Sequence, residues 1–457
     1  MESPPPKRNA GHGGEDGISA LPDHLLLDIL ERLDLREAVR AGALSTRWRH
    51  LPGHLSRVDL DVDDFGGATP LEVMDAFTGA ARALLARVPL AEGVCGSSAL
   101  KVLVLSFYTS SPHLSSIGRL IEDIVSLGNT QCLEFCISPL GSDIEIGQEF
   151  MAFSIAYPVA FSWLTRLRLE YHAFGHSDIT DLISTCGRLR HLSLRFCRML
   201  DLDSTLKIDV PCSELQEIEF IGLLCTRIEL VSVPKLRQVE CKCWHLENPP
   251  VRFGYVPELR GVMLSSITKA WQKPFALSEC LSRSARNLST LNLCFAYQMI
   301  WIQPEPPKQL IAIFRNLTSV LLLRIFSECE LSWTLFILEA APALYDMTLS
   351  RHSCIKTPEY SAEKTNVVWE PSKDLKHLNL KGLHIFGCED EDKVRNFIRL
   401  VMERAVGLLI IELYDENPCI YCDATNLERS KAEKASRHRI KEQLTHGSSS
   451  SVEIIIC

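Results

Sequence analysis

Leu164-Thr165-Arg166-Leu167-Arg168-Leu169, followed by Leu189-Arg190-His191-Leu192-Ser193-Leu194, sets the architecture of the chain. In an extended chain successive side chains point to opposite faces, so the fourth and sixth positions of each hexamer share one face and bury together. Leu288-Ser289-Thr290-Leu291-Asn292-Leu293 and Leu375-Lys376-His377-Leu378-Asn379-Leu380 repeat the pattern. With any apolar residue allowed at the leucine positions, copies start at Leu55, Leu100, Cys132, Leu164, Leu189, Leu215, Leu236, Leu259, Leu288, Leu317, Leu344, Leu375 and Leu408.

Most of these starts are spaced near the roughly 20–29-residue period of leucine-rich repeats. A single repeat cannot bury its apolar face, but stacked neighbours can, and the expectation is a curved α/β solenoid. Helix-like stretches lie between strands, such as Asp178 to Cys186 and Lys393 to Val406. Leu71 to Val88 is an amphipathic helix with Leu71, Met74, Phe77, Ala81, Leu84 and Val88 on one side. The array is irregular: the asparagine expected three residues past the last leucine is absent from each copy, with Cys197 the one acceptable substitute. Leu427 to Ser451 reads as an exposed charged helix with a flexible serine turn, and Val452 to Ile456 as a buried strand.

A chain of 457 residues, 46% of them hydrophobic, exceeds the roughly 250–300 residues at which one core stops growing. It is several domains or one elongated array. A formal charge of -9 argues against a dedicated nucleic-acid binder. No run of apolar residues is long enough to cross a membrane, and the first ten residues lack the apolar core of a secretory signal. The 17 cysteines, an odd number in apolar surroundings, read as reduced and buried. The expected location is cytoplasmic, nuclear or both. Met1 to about Glu15 is rich in Pro, Gly and charge and reads as disordered.

Three short helices follow. Asp23 is positioned to cap the first, whose apolar stripe is Leu25, Ile29 and Leu33 with Leu26 and Leu30. Asp34 and Glu37 have capping-box spacing and start a second helix through Ala43, and Ser45 can cap a third carrying Trp48 and Leu51. About 40 such residues bury too little surface to be comfortable alone, so the module needs a neighbour.

The run Ile18-Ser19-Ala20-Leu21-Pro22-Asp23-His24-Leu25, continuing to Leu30, then Leu33, Ala38-Val39 and Leu44-Ser45-Thr46-Arg47-Trp48-Arg49-His50-Leu51, resembles a plant-type F-box. The resemblance implies a face that docks a Skp-type adaptor, which bridges to a cullin–RING ubiquitin ligase. Carried onto this chain, the docking residues are Leu21, Pro22, Leu25, Ile29, Val39, Leu44, Ser45 and Trp48. Gly17, where such sequences often have Arg, and Pro52, where they often have Trp, depart from the pattern. Farther on, Leu375 to Leu378, Glu389 to Asp392, Phe397-Ile398, Leu400-Val401, Ala405 and Leu408 to Leu413 resemble the FBD region that follows F-box and leucine-rich segments in plants. The implied organisation is a tail over 1–16, an F-box over 17–54, irregular leucine-rich repeats over 55–370, and last repeats with an FBD-like region over 371–457.

No catalytic set is found. Cys419-Ile420-Tyr421-Cys422 lacks the second pair a zinc site needs, and Cys241-Lys242-Cys243, with His245, could in principle join a metal site but for alternation along a strand, which splits successive side chains of the run. No nucleophile elbow or HExxH motif occurs, and the only Gly-rich run, Gly11 to Gly14, precedes any strand. No cofactor and no metal are expected. The resemblance therefore implies a non-catalytic substrate receptor of an SCF-type (Skp adaptor–cullin–F-box) E3 ubiquitin ligase, binding an unknown protein. The alternatives are a repeat scaffold outside a ligase and a small-molecule-sensing receptor. Residues flanking the second leucine point away from the core: Arg166, Arg168 and Glu170, then His191, Ser193 and Arg195, then Glu217 and Glu219, then Gln238, Glu240 and Lys242. Read along the chain they pass from basic to acidic. Arg166, Arg168, Arg195, Glu217, Glu219 and Glu240 are candidate partner contacts, against the plainer reading of a solvated charged face.

Overall fold

The structure, a computed structural model, describes residues 21–86, 100–140, 146–244, 247–266, 272–296, 300–327, 329–352, 367–388, 390–415, 427–445 and 452–457. The expected tail, the serine turn, Gly17, His245, Glu389 and the Cys419–Cys422 pair lie outside them. The chain divides into two compact units, residues 1–107 with 115–134 and residues 108–114 with 135–457.

In the first unit the expected short helices form at Asp23–Leu30 and Leu35–Ala41, followed by a 3-10 segment at Trp48–His54. Asp34 caps the second helix, its carboxylate accepting from the Glu37 N–H at 2.8 Å. Asp23 does not cap the first. Pro22 occupies that place, and Asp23, inside the helix, takes Arg47 as an ion-pair partner. Ser45 Oγ accepts from the Trp48 N–H at 3.4 Å and so starts the third segment. The longer helix runs Pro70–Leu85, capped by Thr69, and buries Met74, Phe77 and Ala81. Leu71, in its first turn, is exposed. Strand Arg57–Asp61 pairs in parallel with Val102–Thr109, burying Val58 and Leu60 beside Leu103 and Leu105.

The second unit is built on a parallel sheet whose strands follow chain order: Leu164–Glu170, His191–Arg195, Glu217–Ile221, Gln238–Lys242, Gly261–Ser265, Thr290–Cys294, Ser319–Phe326, Asp346–His352, Gly382–Phe386, Ile410–Tyr414 and Glu453–Ile456. Neighbours pair in register, Leu167 with Leu192, Leu192 with Ile218 and Ile218 with Val239, so the inward residues form continuous buried rows. Such rows bury apolar area at about 25 cal/mol per Å2, the main force holding strand to strand. Strands end alike. Tyr171, Phe196, Gly222 and Cys243 take positive φ just past their strands. Their N–H groups each donate to the next strand's end, at Arg195, Ile221, Lys242 and Ser265.

Beyond the helical module, the structure corrects the sequence reading of the strands and the last helix in four places. Leu375 does not begin a strand. The ninth strand follows Leu380-Lys381-Gly382-Leu383-His384-Ile385, five residues later, and Leu378 is left 65% exposed. Strand Cys132–Pro139 buries Leu133, Phe135 and Ile137, so the register starts two residues before Cys132, which is half-buried. A second parallel sheet, Thr205–Asp209, Arg227–Ser232 and Val251–Tyr255, forms between main strands and has no counterpart in that reading. There Gly254 is needed for close approach, because a Cβ would lie 2.3 Å from the Val231 carbonyl oxygen. Finally, helix Leu427–Thr445 is not exposed all round, since Arg437, Ile440 and Leu444 are buried.

Candidate functional site

The helical module has more apolar residues than its own core accepts. Leu26, Leu30, Ala38 and Leu51 are buried, and Trp48, 4% exposed, joins them. Trp48 therefore holds the module together from within and is not on its surface with the other candidate docking residues. Leu25 and Ile29, one helical turn apart and each 39% exposed, face outward with Leu33, while Val39 and Leu44 are exposed on the next segments, Leu44 by 72%. Pro22 is exposed; Leu21 and Ser45 are half-buried. Arg47 fixes the start of this face, pairing with Asp23 at 2.6 Å and donating to the Leu21 carbonyl at 2.6 Å. Val39 opens on a groove of about 590 Å3 that is also lined by Leu35, Phe65, Ala83 and Leu84. Charged side chains border these exposed apolar residues, Asp23 paired with Arg47 and Glu37 with Arg40.

The candidate partner contacts of the second unit come together differently. Register sets Ser193 beside Glu219 and Glu219 beside Glu240. Glu219 becomes a hub: it accepts from Ser193 Oγ at 2.6 Å and from Arg195 at 2.9 Å, with Lys242 at 3.7 Å. Although burial opposes ionisation, these partners hold its carboxyl below the usual range. His191 Nδ1 lies 2.7 Å from Glu217, Arg168 pairs with Glu170 along its own strand, and Glu240 pairs with Lys242. The basic-to-acidic run of the sequence is thus folded into pairs, and Arg195 and Glu219 spend much of their charge on each other. Arg166 stands exposed at the strand start.

Toward the other end of the sheet a smaller network lies on the corresponding rows. His384 has Nε2 at 2.7 Å from Asp346 and Nδ1 at 2.7 Å from Glu412. The Tyr414 hydroxyl donates to the same Glu412 carboxylate at 2.6 Å, which holds that carboxyl low, and the Tyr414 ring stacks on Phe386 at 4.3 Å. Among the described residues no cluster of three or more His, Cys, Asp or Glu is arranged to hold a metal ion. Cys241 is buried on its strand, whereas Cys243 lies just past the strand end at positive φ and is exposed.

One row of residues escaped the sequence reading. The residue just before each strand donates its N–H to its counterpart on the preceding strand. This line runs without a break through Arg190, Gln216, Arg237, Arg260, Ser289, Thr318, Tyr345, Lys381 and Leu409. The signal was the second position of each hexamer, basic in Leu189-Arg190, Leu236-Arg237 and Leu259-Arg260.

A family model for the F-box domain matches residues 18–57. An F-box/FBD/LRR-repeat protein of Arabidopsis thaliana is 50% identical over 56 residues, 12% of either chain. An FBD-associated F-box protein of the same plant is 45% identical over 65 residues, 14% of this chain and 16% of its own. F-box/LRR-repeat protein 13 of Arabidopsis thaliana is 43% identical over 231 residues, 50% of this chain and 45% of its own. The matched stretches thus span less than half the length of each of these relatives. The chain carries an F-box domain and is similar to plant F-box proteins with leucine-rich-repeat and FBD regions.

Proposed function

We propose that this F-box protein is the substrate-recognition subunit of an SCF-type ubiquitin ligase, with its helical module docking a Skp-type adaptor and its sheet, read as irregular leucine-rich repeats, binding the protein to be modified. The observation that carries the reading is the split of the first helix. Leu26 and Leu30 fill the module, while Leu25 and Ile29 are left outside it within the matched domain. The chain's part is positioning, with ubiquitin chemistry supplied by the cullin-bound partners.

The test is co-purification of the full chain with a Skp-type adaptor, wild type against Leu25→Asp with Ile29→Asp. Apolar anchors buried at an interface are worth about 2 kcal/mol or more each, so the double change is expected to lower adaptor affinity roughly a thousandfold. Thermal unfolding of the variant is expected to stay near wild type, because both side chains are already exposed. Equal adaptor recovery from the two proteins would overturn the reading. Cullin in the same complex supports ligase membership. Adaptor without cullin supports the alternative, a scaffold outside a ligase.

A further inference from the structure

The row of strand-start residues in the second unit has two unlike halves. Arg190 and Arg260 stand on it, exposed, and Arg286 is exposed on the loop leading to Ser289. Among the described residues none of these three guanidinium groups has a carboxylate partner, whereas their neighbours Arg237 and Lys235 reach Glu258 and Glu214. The other half is apolar. Tyr345 and Leu409 are exposed in the same row, and Leu378 is exposed beside them. Lys381, between them, folds its ammonium back onto the carbonyls of Leu378 and Gly407, both at 3.1 Å, so charge does not front that half.

We propose that this row is a docking track for an extended protein segment that is acidic in one part and apolar in the other. Three observations converge on that partner. In a chain with 57 acidic and 48 basic residues, three exposed arginines without carboxylate partners among the described residues, two of them flanking the paired Arg237, are a local inversion of charge. The planar guanidinium fork matches carboxylates in particular. The backbone bonds that thread the row fix its pitch at roughly 4.8 Å per strand, so Arg190 to Leu409 spans about 40 Å, the length of about twelve residues of extended chain. The exposed Leu378 and Leu409 suit aliphatic side chains, Tyr345 being the one aromatic residue of the row, and a long polyanion would run from the arginines onto an otherwise acidic molecule. Carboxylates belong on the Arg190–Arg286 half, and leucine-like side chains on the Tyr345–Leu409 half. The track does not depend on adaptor docking, and the two are tested by separate captures.

The experiment is fluorescence anisotropy with the full chain and a labelled synthetic peptide of about fourteen residues, its first half rich in Asp and Glu and its second half in Leu. Binding is expected at about 50 mM salt, weakening steeply as salt rises. Arg190→Glu with Arg260→Glu and Arg286→Glu is expected to weaken capture at least roughly tenfold and to flatten the salt dependence. Leu378→Ser with Leu409→Ser is expected to weaken the acidic–leucine peptide and leave an all-acidic peptide of equal charge unchanged. Should the triple variant not fold, Arg260→Gln alone reads the same loss in smaller measure, since the side chain is exposed. No binding at low salt, equal binding by the arginine variants, or equal competition by a single-stranded RNA of matched charge would each overturn the proposal.

Discussion

The helical module and the parallel sheet spend leucine in opposite ways. Along Asp23–Leu30 adjacent leucines part company, Leu25 outward and Leu26 inward, because a helix turns about 100° per residue and a module of three short segments has only one narrow core to offer. Along the strands buried and outward residues mostly alternate, and Leu167, Leu169, Leu192 and Leu194 all point into one shared interior. The outward faces of those strands are left to charge. Surplus apolar surface is therefore informative in the module, where the fold cannot use it, and uninformative in the strands, where the fold consumes it.

The same substitution in the two places is the sharpest way to break that contrast. Leu194→Ala empties a fully buried site and is expected to cost about 3 kcal/mol, within the 2–5 kcal/mol range of buried leucines, seen as a drop in melting temperature. Leu25→Ala is expected to leave that temperature within a degree or so and to weaken the adaptor instead. Equal melting losses would erase the distinction.

A smaller effect should appear on acidification in the sheet unit. His172 is buried between the Phe150 and Phe174 rings, with Nδ1 2.7 Å from the Glu170 carbonyl and, among the described residues, no partner for Nε2. Burial pushes its pKa down to about 4. The unfolded chain binds a proton near pH 6.5 and the folded chain does not, so stability is full above that pH and declines as pH falls toward 4. The total loss is about 3 kcal/mol at most. Chemical denaturation at pH 7 and pH 4.5 should show the decline in wild type and a shallower one in His172→Leu. An unchanged slope would mean the imidazole is not the titrating group.

The smallest expected effect lies at a helix end in the module. Asp34→Ala removes the acceptor of the Glu37 N–H and is expected to cost about 1 kcal/mol, measurable by denaturant titration. A cost above that of Leu194→Ala would reverse the ranking of cap and core.

What was legible in the sequence was whatever had one physical solution. Strict alternation located most main strands, and the Asp34 to Glu37 spacing located the second helix start. Leu375 misled because its hexamer has the same letters as a strand, but His377 ends that possibility. Its Nε2 bonds the Ala341 carbonyl and its Nδ1 accepts from the Leu380 N–H, tying the segment into a turn, anchored by the buried imidazole, before the strand begins. Cys132 was displaced by two because a pattern of period two fits equally well at either start. In the site, Leu25 and Ile29 could be named from their spacing, but not which apolar residues the core would claim, and Trp48 went inside. Charge order along the chain did not foretell pairing either, because Arg195 and Glu219 meet only when their strands lie side by side.

The buried cysteines have a practical consequence. Burial pushes the thiols of Cys186, Cys197 and Cys388 up to about 12 and that of Cys225 up to about 11. At pH 8 the reactive thiolate is then about one part in a thousand or less, against roughly a quarter for a free cysteine. Alkylating reagents can label these four sites in the native protein at an appreciable rate only when the structure around them opens. Cys186 ends a helix and the other three lie in segments flanking strands, so the labelling rate of each thiol becomes a clock for local opening there, and four natural probes along the chain report where the molecule breathes first.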